Sequence, residues 1–396
     1  MIVKLKEDYL KMRFKETYCR YSQKELDTQG AADILGISVR TFLRKRDRYE
    51  EDGFDGGFDR RLGRRSNNRA ADEEVELLTK LYTEKYKGFS VKHFYGFATL
   101  NPSMTRSYNW CCKTLQKAGL VSKSSRGGPH RQRRERKPMA GMMIHQDGST
   151  HKWLLALDHN IDLIVTMDDA NSEITSGFFV AQEGTASSLE GIKETIQKKG
   201  VFCTFYTDRG SHYAYTPEAG GKVDKGRLTQ VGRALREMNI RHIHAYSPQA
   251  RGRSERMFQT LQGRLPKELD VMGITTMEEA NRYLQETYWP KHNKEFSVAP
   301  KDSTSAYIPW LHPDSLDEIL CVKEDRVVGR DNTVRYEGLV LQIPPQTNRH
   351  HYVKADVEVR KYLDNTYGIF YGHQCLGRYN QLGSILGGQA KSKIAA

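Results

Sequence analysis

Residues 142–167, MMIHQDGSTHKWLLALDHNIDLIVTM, decide the fold of the longest part of the chain. Apolar runs at Met142–His145, Trp153–Leu157 and Leu163–Met167 predict three consecutive strands joined by short turns. Three short strands in a row form a meander, in which each strand pairs with the next one. This stretch therefore predicts the first half of a β-sheet.

The sequence that follows alternates between strands and helices. Short apolar runs predict strands at Gly177–Ala181, Val201–Tyr206 and Ile240–Ala245, and helical periodicity predicts helices at Thr185–Lys199, Leu228–Met238 and Ala250–Leu269. A meander followed by strand–helix–strand units indicates a mixed sheet with helices packed on it. We assign residues 139–310 to this α/β core.

Three carboxylates stand at positions where a sheet could bring them together. Asp147 follows the first predicted strand, Asp208 ends the strand Val201–Tyr206, and Glu255 lies in the first turns of the long helix. Mg²⁺ prefers carboxylate and water oxygens, and two ions about 3.5–4 Å apart can stabilise both the entering and the leaving oxygen of a phosphodiester. These three residue types in this order favour two-metal cutting of nucleic acid.

The long helix has two distinct faces. Met257, Phe258, Leu261 and Leu265 form its apolar stripe, and a polar face carries Arg251, Glu255, Gln259 and Gln262. Other groups compete for the same role, because Asp168 and Asp169 also follow a predicted strand. His145 and His212 lie close to the proposed acids in sequence, and we interpret both as structural rather than as contacts to the scissile phosphate.

Residues 29–46 predict a helix-turn-helix module. Gly36 permits a tight turn, Ser38 can cap the second helix with its hydroxyl, and Phe42 belongs to an inward apolar stripe. The side chains left outward, as a helix in a major groove requires, are Arg40, Thr41, Arg44 and Lys45. We assign residues 1–65 to this DNA-binding domain.

A second helix-turn-helix domain is predicted at residues 66–121. Its reading helix begins near Thr105 and ends at a glycine, which places Arg106, Ser107 and Asn109 at the start of that helix. Residues 122–138 form a basic linker of almost no apolar content, in which Arg131, Arg133 and Arg134 suit contact with a DNA backbone.

Charge is unevenly distributed along the 396 residues, whose formal net charge is +13. The number of lysines and arginines minus the number of aspartates and glutamates is 24 − 17 = +7 for residues 1–121. The same difference is 7 − 1 = +6 for residues 122–138 and 31 − 31 = 0 for the remainder. A basic front attached to a neutral body indicates that the first third binds a polyanion.

The remaining features limit the class of protein. The six cysteines have no CxxC spacing, which argues against a disulfide framework or a zinc site. The absence of a long apolar run and of an apolar leader predicts a cytoplasmic protein that does not bind membranes. Short alternating strands at residues 320–380 predict a small β-barrel or sandwich, of which we favour the barrel, and residues 381–396 are predicted to form a flexible tail.

Taken together, the motifs around Asp147, Asp208 and Glu255, with 60 and 46 residues between successive acids, resemble those of DDE transposases and retroviral-type integrases. More narrowly, the chain resembles bacterial insertion-sequence transposases of the ISNCY group over nearly its whole length. The segment 292–300, His-Asn followed by Phe296 and Pro300, adds to this resemblance. Two differences stand out: residues 213–226 lengthen the second spacing, and no zinc-binding module precedes the core.

The resemblance implies an RNase H-like catalytic core in a multidomain protein. It implies hydrolysis at the 3′ ends of a transposon and attack of the freed 3′-hydroxyl on target DNA, with two Mg²⁺ or Mn²⁺ ions. Asp147 would be the shared metal ligand, and Asp208 and Glu255 would hold one ion each. The partners implied are double-stranded DNA, as transposon ends and target, and further copies of the chain in a homodimer or larger assembly.

Two other functions fit part of the sequence. A DNA-binding regulator derived from a transposase could keep the same body without catalysis, although all three acids are present. An RNase H-type nuclease acting without strand transfer is disfavoured by the two helix-turn-helix modules. The chain contains no GxxxxGK[ST] motif, which argues against a nucleotide cofactor.

Overall fold

The computed structural model describes residues 2–53, 69–123, 135–217, 223–224, 226–245, 252–311, 313–346 and 349–386. Four of the predicted DNA-contacting residues, Arg131, Arg133, Arg134 and Arg251, therefore lie outside the described residues. So do most of the basic linker and of the C-terminal tail. The chain divides into two units, Met1–Glu76 and Leu77–Ala396. In the described parts of both units, no helix combines the length and apolar character needed to span a membrane.

The first unit contains three helices, α1 (Ile2–Ser22), α2 (Thr28–Leu35) and α3 (Val39–Asp52). Gly36 ends α2 with a φ of 67°, a left-handed conformation that glycine adopts without strain. Ser38 then begins α3, because its hydroxyl accepts a hydrogen bond from the backbone N–H of Thr41. Phe42 packs into a core with Phe14 and other aromatic side chains of α1. The helix pair lies where the sequence predicted it.

The helices α4 (Asp72–Lys85), α5 (Val91–Ala98) and α6 (Tyr108–Lys117) follow. From Leu77 onward they share one apolar core, which includes Leu78, Phe94 and Leu115. Serine caps begin both short helices, since Ser90 accepts from the N–H of His93 and Ser107 from that of Trp110. The predicted helical character of this region is confirmed.

A five-stranded mixed sheet forms the centre of the second unit, in the order β3-β2-β1-β4-β5. Its strands are β1 (Ile144–His151), β2 (Ile161–Asp168), β3 (Ile174–Val180), β4 (Thr204–Thr207) and β5 (Arg241–His244). The first three strands are antiparallel, and β4 and β5 run parallel to β1. The helices of this region are α7 (Thr185–Lys199), α8 (Gln230–Glu237), α9 (Gly252–Val271), α10 (Met277–Tyr283) and α11 (Trp289–Phe296), with a π-helical turn at Leu284–Tyr288.

The two faces of this sheet pack against different helices. On one face, Ile144 and Phe205 share a core with Leu189 of α7 and Leu235 of α8. On the other face, β2 packs with α9, α10 and α11 in a separate core that includes Val165. Because successive side chains of a strand alternate between faces, this division fixes which side each residue of β1 occupies. The predicted mixed sheet with helices packed on it is confirmed.

Two details of the predicted meander are wrong. Residues Trp153–Leu157 form no strand, because β1 and β2 pair directly from Ile144↔Asp168 to His151↔Ile161 and leave the segment between them as their connection. Trp153, Leu154 and Leu157 of this segment pack in the core instead, and Trp153 is fully buried there with its indole N–H donating to the carbonyl oxygen of Ser149. The first strand also begins at Ile144 and continues to His151, so Asp147 lies within it rather than after it.

The C-terminal region holds α12 (Pro313–Ile319), β6 (Val322–Val327), β7 (Thr333–Tyr336), β8 (Leu339–Gln342), β9 (Asp356–Lys361), β10 (Tyr367–Tyr371), β11 (Gln374–Tyr379) and β12 (Ile385–Leu386). Five strands form an open sheet in the order β12-β11-β10-β9-β6, and β7 and β8 form a separate hairpin. The predicted closed barrel is thus wrong for the described residues, since the edge strands β6 and β12 do not pair. The strand β11, which encloses Leu376 in the core, was not predicted. The predicted domain boundaries remain predictions.

Candidate active site

Asp147 lies in the middle of β1 and is 8% exposed. It pairs with Val165 of β2, whose side chain belongs to the core that β2 shares with α9. Directly paired residues of antiparallel strands project from the same face of a sheet. The Asp147 carboxylate therefore lies on the α9 side of the sheet, away from α7 and α8.

Asp208 follows the last residue of β4. The parallel pairing of β1 with β4 matches His145 with Tyr206, and their rings lie 4.9 Å apart between centroids. Asp147 lies two residues beyond His145 and Asp208 two residues beyond Tyr206, so continuation of this register past the end of β4 would set the two aspartates on the same face. One carboxylate oxygen of Asp208 accepts a hydrogen bond from the backbone N–H of Gly210 at 2.8 Å, which holds the side chain at the strand end.

Glu255 is exposed in the first turn of α9, whose buried side chains include Met257, Phe258 and Leu261. The helix runs along β1, because the Gln262 amide donates to the Ser149 hydroxyl at 3.0 Å. Glu255 precedes Gln262 by seven residues, and so it lies on the same face of α9 about 10 Å nearer the helix start. Asp147 likewise precedes Ser149 along β1, so Glu255 is displaced from Gln262 in the same direction as Asp147 is from Ser149.

The start of α9 is fastened by a buried network that the sequence did not reveal. Asp169 accepts a hydrogen bond from His145 Nε2 at 2.7 Å and from the backbone N–H of Lys137 at 2.8 Å, and it forms an ion pair with Arg253. Arg253 is only two residues from Glu255. The network therefore joins β1, the end of the basic linker and the first turn of α9.

The competing acids Asp168 and Asp169 have structural partners. Asp168 accepts from the backbone N–H groups of Gly141 and Ala170 and from the Tyr307 hydroxyl at 2.7–2.9 Å. Burial raises the pKa of the Asp168 carboxyl in spite of these hydrogen bonds. Both carboxylates therefore accept hydrogen bonds inside the protein, in keeping with a structural role for Asp168 and Asp169.

His145 and His212 have acidic neighbours. His145 is buried and bonded to Asp169, in keeping with a structural role. Nε2 of His212 lies 3.3 Å from a carboxylate oxygen of Glu183, although the angle does not meet the geometry of a hydrogen bond. We therefore treat this contact as charge proximity only. The carboxylate of Glu183 packs on Gly148, where a β-carbon on residue 148 would lie 2.2 Å from that carboxylate. The absence of a side chain at Gly148 therefore leaves room for Glu183, an acid that the sequence analysis did not indicate.

No three His, Cys, Asp or Glu side chains in the described ranges are clustered closely enough to hold a metal ion. The side chains nevertheless fit a divalent cation in kind, because one aspartate lies within β1, another directly follows the neighbouring strand β4, and carboxylate oxygens are the ligands that Mg²⁺ prefers. A third ligand would have to come from the exposed Glu255. The assignment of all three as metal ligands remains a prediction.

The predicted DNA-contacting residues of the first unit differ in exposure. Arg40 and Arg44 are exposed on α3. The Lys45 ammonium group lies 5.8 Å from the centroid of the Phe14 ring and is partly buried. The Thr41 hydroxyl bonds that of Ser38 at 2.8 Å within the helix cap. The two arginines are therefore the groups on this helix best placed to reach a phosphate.

The second predicted reading helix shows a similar division. Asn109 is exposed, whereas the Ser107 hydroxyl is used as the cap of α6. The guanidinium of Arg106 lies 5.8 Å from the centroid of the Trp110 ring. Asn109 is thus exposed and its side chain is not the cap of the helix, unlike that of Ser107.

No family model matches the chain. A protein of Sinorhizobium fredii named as transposase y4bF is 30% identical over 336 residues, which cover 84% of this chain and 73% of that protein. The transposase for insertion sequence IS1202 of Streptococcus pneumoniae is 27% identical over 219 residues, which cover 55% of this chain and 46% of that protein.

Solved structures of viral integrases also match. The simian T-cell lymphotropic virus intasome in complex with PP2A regulatory subunit B56 gamma matches 72% of this chain and 95% of the compared chain, at 13% identity and a TM-score of 0.34. The HTLV-2 integrase catalytic core domain in complex with magnesium, in its trimeric form, matches 37% of this chain and 85% of that domain, at 15% identity and a TM-score of 0.29.

Proposed function

The chain belongs to the transposase family, and we propose that it cuts transposon ends and joins them to target DNA with a carboxylate site of Asp147, Asp208 and Glu255. The observation that supports this proposal is the parallel pairing of Ile144 with Phe205 and of His145 with Tyr206, because Asp147 and Asp208 follow these pairs at equal distances along β1 and past the end of β4. Glu255 belongs to the helix that runs along that same face.

The three carboxylates would divide the work of holding two divalent cations. Asp147 would contact both ions, and Asp208 and Glu255 would each contact one. Such ions, when bound, stabilise charge on the entering and leaving oxygens of a phosphodiester. The protein contributes rigidity, since Asp147 is held by its pairing with Val165 of β2 and Asp208 by the N–H of Gly210.

DNA would reach this site through the basic first third of the chain. The α/β core and the C-terminal sheet carry no net charge from residue 139 onward, so they offer little general attraction for phosphates. We assign the recognition of terminal inverted repeats to α3, through Arg40 and Arg44, and to the start of α6, through Asn109. The basic linker would follow the backbone between them, and two or more copies of the chain would assemble on paired ends.

The test is an end-cleavage and joining assay on DNA that carries the inverted repeats bracketing the gene. We expect Asp208→Asn to bind this DNA as the unaltered protein does and to lose nicking and joining in Mg²⁺ or Mn²⁺. A matched control is Asp158→Asn, which changes a 99% exposed aspartate in the connection between β1 and β2. That control should keep full activity.

The same assay separates the proposed enzyme from a silent DNA-binding regulator. Undiminished joining by Asp208→Asn would refute the assignment of this carboxylate. If the unaltered protein bound the repeats and neither nicked nor joined them with either metal, the regulator would be the better description. Glu255→Gln extends the test to the exposed third acid, and we expect it to fail in joining as well.

A further inference from the structure

A cavity of about 390 Å³ opens beside the candidate active site, on the other face of the sheet. It is bordered by the edge strand β5, the start of α8 and the chain that follows Asp208. Its lining includes Tyr215, Arg227, Arg241 and His242. We propose that this cavity binds one unpaired nucleotide of a DNA strand that is held at the carboxylates, an inference that rests on the proposed function.

A flat stacking surface forms one wall of the cavity. The guanidinium carbon of Arg227 lies 4.2 Å from the centroid of the Tyr215 ring, and the ring is 37% exposed. Aromatic rings and arginine guanidinium planes are the groups on which unpaired bases stack, whatever the base. An Arg–Tyr pair with a ring partly open to solvent is therefore suited to a nucleobase.

A hydrogen-bond acceptor lies on the sheet side of the cavity. The Thr207 hydroxyl donates to the carbonyl oxygen of Asp208 at 2.9 Å, so it accepts from His242 Nε2 at 3.0 Å. Burial and the neighbouring His244 lower the pKa of His242 to about 3, which leaves its imidazole neutral. Nδ1 of His242 is then an acceptor, of the kind that bonds an N–H group of a base, such as the N3–H of thymine or an exocyclic amino group.

The charged side chains around the cavity offer partners for both the base and the phosphate of one nucleotide. Arg241 is exposed at one border and can contact the phosphate of the same nucleotide. Asp224 also lines the cavity, with one carboxylate oxygen accepting from the N–H of Gly226 at 2.8 Å. A carboxylate repels a phosphate placed inside, but it accepts hydrogen bonds from base amino groups.

The cavity is connected to the proposed active site through neighbouring residues of the chain. Thr207, which is bonded to His242, directly precedes Asp208 in the chain. A nucleotide seated in the cavity would lie on the opposite face of β4 from the carboxylates, and the DNA strand would pass around the end of β4 to reach both. Stacking of that base on Tyr215 would compensate for the base pairing lost when the strand is opened there.

The experiment uses the full chain and a single strand of oligodeoxythymidine, about 16 nucleotides long, with one 5-iododeoxyuridine. Ultraviolet light links this base to an aromatic ring stacked on it, and mass spectrometry identifies the linked residue. We expect the cross-link at Tyr215, its loss in Tyr215→Ala with about tenfold weaker binding of the strand, and its retention in Tyr215→Phe.

Tyr371→Ala is the matched control, because Tyr371 is 41% exposed and also lies under an arginine, with Arg349 at 5.3 Å from its ring centroid. That variant should cross-link normally. A cross-link that survives in Tyr215→Ala, that disappears equally in the control, or that forms as well with the iodinated base paired in a duplex would overturn the proposal. Asp208→Asn should cross-link normally, and so a failure of the catalytic assignment is distinguishable from a failure of the cavity.

Discussion

Replacement of Glu268 by glutamine tests the electrostatics that fasten α9 to its neighbours. This carboxylate is 2% exposed and accepts hydrogen bonds from His93 of α5 at 2.9 Å, Tyr283 of α10 at 2.7 Å and Lys291 of α11 at 3.0 Å. Burial alone would raise the pKa of the Glu268 carboxyl, but these three donors outweigh it and lower the pKa to about 2. The folded state therefore prefers the ionised carboxylate.

The magnitude follows from the difference between this pKa and the ordinary glutamate value of 4.5. Because the pKa is lower in the folded state, the carboxylate stabilises the fold above pH 4.5, and this contribution is lost as the pH falls toward 2. It amounts to about 3 kcal/mol at pH 7 and about 1 kcal/mol at pH 3. Glu268→Gln should reduce the free energy of unfolding by similar amounts at the two pH values.

The assay is urea unfolding followed by tryptophan fluorescence, since Trp289 lies in the core that contains this part of α9. The unaltered protein and Glu268→Gln are compared at pH 7, 5, 4 and 3, with Glu278→Gln, an exposed glutamate of α10, as the control. A difference in unfolding free energy that stays constant from pH 7 to pH 3, or that is below about 1 kcal/mol at pH 7, would refute the reasoning.

Three further predictions follow from other parts of the fold. Arg40→Ala with Arg44→Ala should weaken binding to the terminal repeats and reduce the slope of log affinity against log salt by about 2; an unchanged slope in a salt titration would contradict their role. Gly177→Ala would place a β-carbon 2.5 Å from the Trp289 ring, and we expect a loss of about 1–3 kcal/mol in urea unfolding. Asp169→Asn should reduce joining more than DNA binding, because its ion pair fastens the start of α9; equal losses in both assays would assign it a general structural role instead.

Local features of the fold could be predicted because their signals lie within a few residues. The helix α7 begins at Thr185 and ends at Lys199 as predicted, and Ser38 caps α3 with its own hydroxyl. Caps and helical periodicity depend on contacts three or four residues apart, which the sequence displays directly. The order of Asp147, Asp208 and Glu255 could likewise be taken from the chain, together with the motifs around each.

Strand pairing could not be predicted in the same way. The apolar run Trp153–Leu157 has the composition of a strand, but it has no neighbour to pair with once β1 and β2 join directly, so its side chains fill the core from a turn. The register of β1 with β2 also extended the first strand through Asp147. In the C-terminal region, closure into a barrel requires the two edge strands to meet, which no local pattern specifies.

The sequence by itself determined the kinds of element, the basic front of the chain and the identity and order of the three acids. Only the tertiary structure decided that Asp147 and Asp208 share the α9 face and that Asp169 fastens His145, 24 residues away, and Arg253, 84 residues away. The physical reason is that helix caps and periodicity are local interactions. A buried carboxylate, in contrast, needs hydrogen-bond donors inside the protein. Which residues supply them depends on how distant segments of the chain pack together.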